Sequence, residues 1–193
     1  MAFNINTFVG NGLTKGGARP SLFEVFMSFP NVSGIPTDVK NKFRFTCRST
    51  SIPASTVSSI DIPYFGRTIK LNGDRTFADW NVTVMNDEDY IVRNAFEAWH
   101  NAINSIVSNK RELAPAADGT GFKQNATVRH YSKSGSDVII KTYNFVGMFP
   151  VNVAEMALDW EATNQVQTFG VTFAYDYWEP ITVSPSPQIN IEA

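Results

Sequence analysis

Apolar and polar residues alternate through SLFEVFMSF, which puts Phe23, Val25, Met27 and Phe29 on one side of an extended chain. That is the period of a half-buried strand. KFRFTCRST alternates too, with Phe43, Phe45 and Cys47 on one face. The Pro-, Gly- and Asn-rich stretch PNVSGIPTDVKN between them reads as a loop, so the two runs are expected to pair as a long hairpin. Trp80, Val82 and Val84 line one face of a further strand. From about residue 87 to 108 the period becomes helical, carried by Ile91, Val92, Ala95, Phe96, Trp99, Ala102, Ile103 and Ile106. Lys110 and Arg111 fall at its C-terminal end, where positive charge is favoured. Strand character returns in TVRHYS and DVIIKTYNFVGMF, and ALDW is a candidate start of another strand. In VQTFGVTFAYDYW, Phe169, Val171, Phe173, Tyr175 and Tyr177 alternate. The core expected from these patterns includes Phe43, Phe45, Trp80, Val82, Val84, Phe96, Trp99 and Phe173.

Three segments lack a clear period. Residues 1–20 are rich in Asn, Gly and Thr and read as an extended or flexible arm. In residues 51–77, Pro53 and Pro63 each remove a ladder donor, so short extended pieces on a projecting loop are expected. Residues 180–193 form a Pro- and Ser-containing tail with little to bury. ELAPAADGTGFKQ reads as a loop, and no solenoid-type repeat is present. The sum is one mainly β domain over residues 1–193. An antiparallel sandwich or partly closed barrel with one flanking α-helix is its natural layering.

Composition narrows the function. A chain of 193 residues, 43% hydrophobic and with 15 phenylalanines, is long enough to bury its own core and rich in strand formers. The net charge of −2 is dispersed; without a basic stripe, phosphate-driven binding to nucleic acid is not expected. One cysteine excludes an intrachain disulfide and a thiolate-cluster zinc site. The first residues carry no secretory-signal pattern, and no apolar run approaches the roughly 18 residues of a membrane helix.

Candidate chemistry is sparse. Asn86, Asp87, Glu88 and Asp89 supply oxygen ligands but lack the alternation, Gly hinge and distal Glu of a calcium loop. The better reading makes Asn86 or Asp87 the cap of the helix, with carboxylates at its positive end. His100 and His130 have no metal-ligand spacing, and no G-x-S-x-G elbow supports a hydrolase. GNG at 10–12 and DGTG at 118–121 do not join a strand to a helix, so neither is a phosphate cradle. Cys47 reads as a small buried hydrophobe. Arg75, behind Gly73-Asp74, fits either a local pair with Asp74 or an ion pair to another subunit. No catalytic residue, metal or cofactor is expected.

Several blocks together carry a family resemblance: ARPSLFEV, FTCRSTSIPAST, GRTIKLNGDRTFADWNVTVMNDE, FEAW, ATVRHYS and FPVNVAEMALDWEATNQVQTFGVTFAYDYWE. They run in family order over about residues 18–179, and the chain resembles the tail tube proteins of contractile-tailed, T-even-like bacteriophages. The arm, the PNVSGIPTDVKN loop and the tail after Trp178 look longer than the family's minimal form. The resemblance implies a non-enzymatic structural protein of the virion, assembled in the host cytoplasm. Six subunits would form a ring around a lumen, and rings would stack into a tube. Implied partners are other copies of the chain, the sheath outside, baseplate and tail-terminator proteins at the ends, and the tape-measure protein and DNA inside. A baseplate tube initiator or a secretion-system tube protein is the neighbouring reading; a small β-barrel enzyme or ligand-binding module is the distant one.

An open antiparallel sheet leaves edges that a neighbouring subunit would pair, and head-to-tail contacts close into rings or propagate as filaments. The loop over 51–77, with Arg67, Asp74 and Arg75, is expected to touch the next subunit or ring because of its proline-broken strands and its charges.

Overall fold

A computed structural model describes residues 4–13, 16–114, 121–134 and 138–181. Strands β1 (Phe23–Met27), β2 (Cys47–Thr50), β5 (Trp80–Met85), β6 (Gln124–Tyr131), β7 (Ile139–Val153) and β8 (Thr168–Ala174) lie in the order β1-β6-β7-β8-β5-β2, and β9 (Tyr177–Ile181) pairs with β7. All of these pairings are antiparallel. Among the described residues the sheet does not close: β1, β2 and β9 each pair on one side only. This is the mainly β, antiparallel, partly closed architecture expected from the sequence. A separate two-stranded sheet is made by β3 (Ser55–Tyr64) and β4 (Arg67–Phe77).

The curl depends on β7. Its first half pairs with β6 on one side and β9 on the other, and its last residues pair with β8. Where β8 gives way to β9, Gly147 adopts φ +68°, and a Cβ there would strike the Asp176 carboxylate. Only glycine takes that backbone without strain and leaves the space open. Asp176 N–H donates to the Val146 carbonyl at 3.0 Å, and Lys123 Nζ holds the Asp176 carboxylate at 2.6 Å. The bend interrupts the alternation expected through residue 177: Phe169, Val171 and Phe173 are buried, but Tyr175 is half-buried and Tyr177 exposed.

Helix α3 (Ile91–Ile103) lays Val92, Ala95, Phe96, Trp99 and Ala102 into the core. Phe29, Phe43, Phe169 and Phe173 surround its Phe96 ring. Trp80 stacks on Phe145 with centroids 4.3 Å apart, and its indole N–H reaches Thr50 Oγ1 at 2.8 Å. A buried indole needs such an acceptor. The helix ends earlier than its pattern suggested. Ile106 is exposed, and Lys110 and Arg111 lie outside its last turn.

Other readings need correction. The run 42–46 is not a strand but part of helix α2 (Val39–Thr46), whose Val39 and Phe43 share the buried face at i, i+4. Helical geometry turns Phe45 away from Phe43, and it is 73% exposed instead of core. The expected hairpin with β1 does not form: β1 pairs with β6, and β2 with β5. The arm contains a helix, α1 (Ile5–Gly12), capped by the Asn4 side chain, which accepts from Asn6 N–H at 3.0 Å. The single flanking helix thus becomes three among the described residues. ALDW begins no strand, and most of the 180–193 tail lies outside the described residues.

Candidate functional site: a projecting hairpin and an open sheet

The segment 51–77, read from the sequence as short extended pieces on a projecting loop, forms two long paired strands. β3 and β4 run antiparallel from Ser55↔Phe77 to Tyr64↔Arg67. Phe65 (φ 42°) and Gly66 (φ 80°) form the two-residue turn, and positive φ at both central positions is the hairpin-type turn that matches strand twist. Pro63 is tolerated because a two-stranded ribbon has only edges. It pairs with Thr68, one step from the turn, where an N–H would point away from the partner strand.

Every residue of β3 is exposed. Register places Ile60 opposite Leu71 and Ile62 opposite Ile69, so these four share one face. The next pairs, Ser59 with Asn72 and Asp61 with Lys70, occupy the other face, where the Lys70 and Asp61 charges are 3.7 Å apart. The ribbon is amphipathic, yet nothing among the described residues covers the apolar face. At its tip Phe65 is 92% exposed.

Arg67 sits at the tip beside the turn, opposite Tyr64; Asp74 and Arg75 lie near the base, beyond the bulge between Val57 and Ser59. Arg75 lies eight residue steps along the strand from Arg67, about 26 Å at the usual rise. The fold therefore does not gather the three charges into one cluster. None of them makes a side-chain hydrogen bond or ion pair among the described residues, so the local Asp74–Arg75 pair is not formed. The Asp74 carbonyl instead accepts from Ser58 Oγ at 3.2 Å.

Neither Asn86 nor Asp87 caps α3 as expected. Tyr90, in the left-handed region at φ 54°, is the capping position and gives no side-chain bond. Asp89 takes over, its carboxylate accepting from Ile91 N–H at 3.1 Å. Asn86 bonds Gln167 Oε1 at 2.8 Å, and Asp87 faces Lys42 at 2.6 Å. The hydrogen bond from Lys42, helped by Glu88 N–H, holds the Asp87 carboxyl below its ordinary value. These residues clamp α2 to the start of α3. Sequence spacing cannot reveal a partner 45 positions away on a segment read as a strand.

Burial pushes the Cys47 thiol up to about 12, which keeps it from acting as a thiolate nucleophile. His100 Nε2 contacts the Pro150 carbonyl at 3.1 Å, and His130 Nε2 the Arg19 carbonyl at 2.6 Å. Among the described residues no three His, Cys, Asp or Glu side chains gather as metal ligands.

The features that distinguish the described residues are thus surfaces: an uncovered hairpin and strands with an unpaired edge. Residues 18–180 match the family model described as phage tail tube protein. The chain is 38% identical over 162 residues to the tail tube protein gp19 of Enterobacteria phage T4, covering 84% of this chain and 91% of that one.

The chain belongs to the phage tail tube protein family.

It is a structural, non-enzymatic component of a contractile phage tail, as the resemblance in its sequence implied. The tail tube fold extends to distant proteins. One is a chain from the tube-terminating cap of the anti-feeding prophage, with TM-score 0.60 at 17% identity, covering 86% of this chain and 92% of that one. Another comes from the sheath–tube complex of an extracellular contractile injection system in its extended state, with TM-score 0.55 at 15% identity, covering 94% and 100%.

Proposed function

We propose that the subunit assembles head to tail into six-membered rings, and that the rings stack to form the inner tube through which DNA leaves the virion. The observation that carries this reading is the β3–β4 hairpin. A ribbon with Ile60, Ile62, Ile69 and Leu71 uncovered is poorly stable alone and presents an apolar surface to a second protein. The unpaired edges of β1 and β2 add a second reason to associate. Arg67 at the hairpin tip and Asp74 and Arg75 at its base act as separate contact points to neighbouring subunits.

The sheath surrounds this tube, and baseplate and terminator proteins close its ends. Support comes from the tail tube membership and from the fold shared with chains of a sheath–tube complex and a tube-terminating cap. The lumen holds the tape-measure protein and then DNA, without reading sequence. Assembly takes place in the host cytoplasm.

Negative-stain microscopy of the purified protein over a concentration series tests the reading. Six-fold rings and stacked tubes are the expected result. A monodisperse monomer at high concentration, with and without a baseplate fraction as template, overturns it.

A further inference from the structure

A concave groove of about 1030 Å³ opens beside the start of β1, between the C-terminal end of α2, β2 and the end of β6. Arg44, Arg48, Arg129 and Lys133 line it, against the single carboxylate of Glu24. Glu24 is already used: Arg44 ion-pairs with it, and Tyr131 Oη donates to it at 2.6 Å. Arg48 and Lys133 make no ion pair among the described residues. Phe45, the exposed aromatic of α2, stands at the wall with the Arg44 guanidinium 5.4 Å from its ring centre. The groove therefore offers positive charge and an aromatic face.

The opposite chemistry sits on the connection from β7 to β8. There Trp160 is fully exposed and Leu158 is 83% exposed, flanked by Asp159 and Glu161. The tip is a formed turn: Glu161 N–H donates to Asp159 Oδ1 at 2.9 Å, and Ala162 N–H to the Asp159 carbonyl at 3.3 Å. A tryptophan held outward between two carboxylates is a pre-organised anchor. Carboxylates match arginine forks, and an indole face attracts guanidinium groups.

We propose that the Asp159-Trp160-Glu161 turn of one subunit inserts into the Arg48–Arg129–Lys133 groove of the next copy. This rests on the ring-assembly reading and names one of its contacts. Turn and groove are different surfaces, so the contact is head to tail, the kind that closes a ring.

Full-length protein tests it by two readouts. Trp160 is the one fully exposed tryptophan of four, the others being Trp80, Trp99 and Trp178. Acrylamide quenching of the wild type should fall on assembly, and Trp160→Phe should abolish that change. Glu161→Arg and Arg48→Glu should each weaken ring association on the order of 30-fold without lowering the subunit's melting temperature. Combining both reversals in one chain should restore association. If the wild type never forms rings, the assembly reading itself fails, and this contact with it. If rings form but Trp160 stays fully quenchable, or the single reversals assemble like wild type, the contact alone is overturned. Loss with Arg48→Glu that Glu161→Arg does not rescue assigns the groove to another occupant and also overturns it.

Discussion

Lys42 Nζ in α2 lies 2.6 Å from Asp87 Oδ2 and also contacts Asp89, joining α2 to the turn that precedes α3. The pair is solvent-accessible, so its contribution is screened by salt. Its sign with pH is definite. Lys42 holds the Asp87 carboxyl below its ordinary value. The stability it supplies is present above the unfolded carboxylate pKa and is lost as pH falls through the folded one. Thermal melts of the subunit should therefore decline from about pH 5 downward. Asp87→Asn should lower the melting temperature slightly at neutral pH and flatten part of that decline. An unchanged acid profile in the variant would remove Asp87 from this role.

Glu24 should add to the same decline. Burial alone would raise its carboxyl, but hydrogen bonds from Arg44 and Tyr131 outweigh that and hold it below the ordinary value. Glu24→Gln is expected to reduce the acid sensitivity further and to change the groove's charge. Titration of the carboxyl by NMR would check the direction of its shift.

Phe43 and Phe45 give a test of local structure. Phe43 is fully buried among Phe29 and Phe96, and Phe45 is mostly exposed. Phe43→Ala should cost about 3–5 kcal/mol in denaturant unfolding, whereas Phe45→Ala should stay within about 0.5 kcal/mol. Equal losses would mean that the two residues share a face, as a strand would require.

That pair also shows where the sequence was legible. Period-2 runs identified β1, β5 and β8 because each strand buries one whole face: Val25 and Met27; Trp80, Val82 and Val84; Phe169, Val171 and Phe173. The α3 face was equally clear. In KFRFT the phenylalanines two apart suggested a strand, but the decisive apolar pair is Val39 with Phe43, four apart, and tertiary packing selects the helix. The hairpin was hidden for another reason. Its sequence was judged against a central strand, where proline fails, while an isolated ribbon has no centre. For Arg75 the sequence left a local pair with Asp74 and an ion pair to another subunit open, and the separation of the hairpin charges along the ribbon depends on a register that only the fold defines.

Gly147 should tolerate no side chain. Its φ of +68° strains any L-residue, and the Asp176 carboxylate occupies the space a Cβ would need. Gly147→Ala is expected to destabilise by more than about 1 kcal/mol. Adding Asp176→Gly should recover the steric share but not the backbone share. Full recovery in the double variant would show that φ contributes nothing.

Hairpin and arm variants should separate folding from assembly. Arg75→Glu should disrupt tubes while leaving the subunit folded, because among the described residues its side chain makes no hydrogen bond or ion pair to lose. Deleting residues 1–17 removes α1, whose Ile5, Phe8 and Val9 are exposed, and should shorten stacks more than it lowers the melting temperature. Tube lengths from micrographs and calorimetry on the same samples measure both. Normal tubes with a large loss of stability would reverse the assignment.

β7 is the one strand that contributes to both halves of the curled sheet, fifteen residues hydrogen-bonded to β6, β8 and β9. Its bend at Gly147 is covalent throughout, so the two halves meet through peptide bonds as well as through side-chain packing. Force applied along the strand must shear several ladder bonds at once, since no single end bond can be peeled open first. In mechanical terms β7 is a spar that runs through both halves of the sheet.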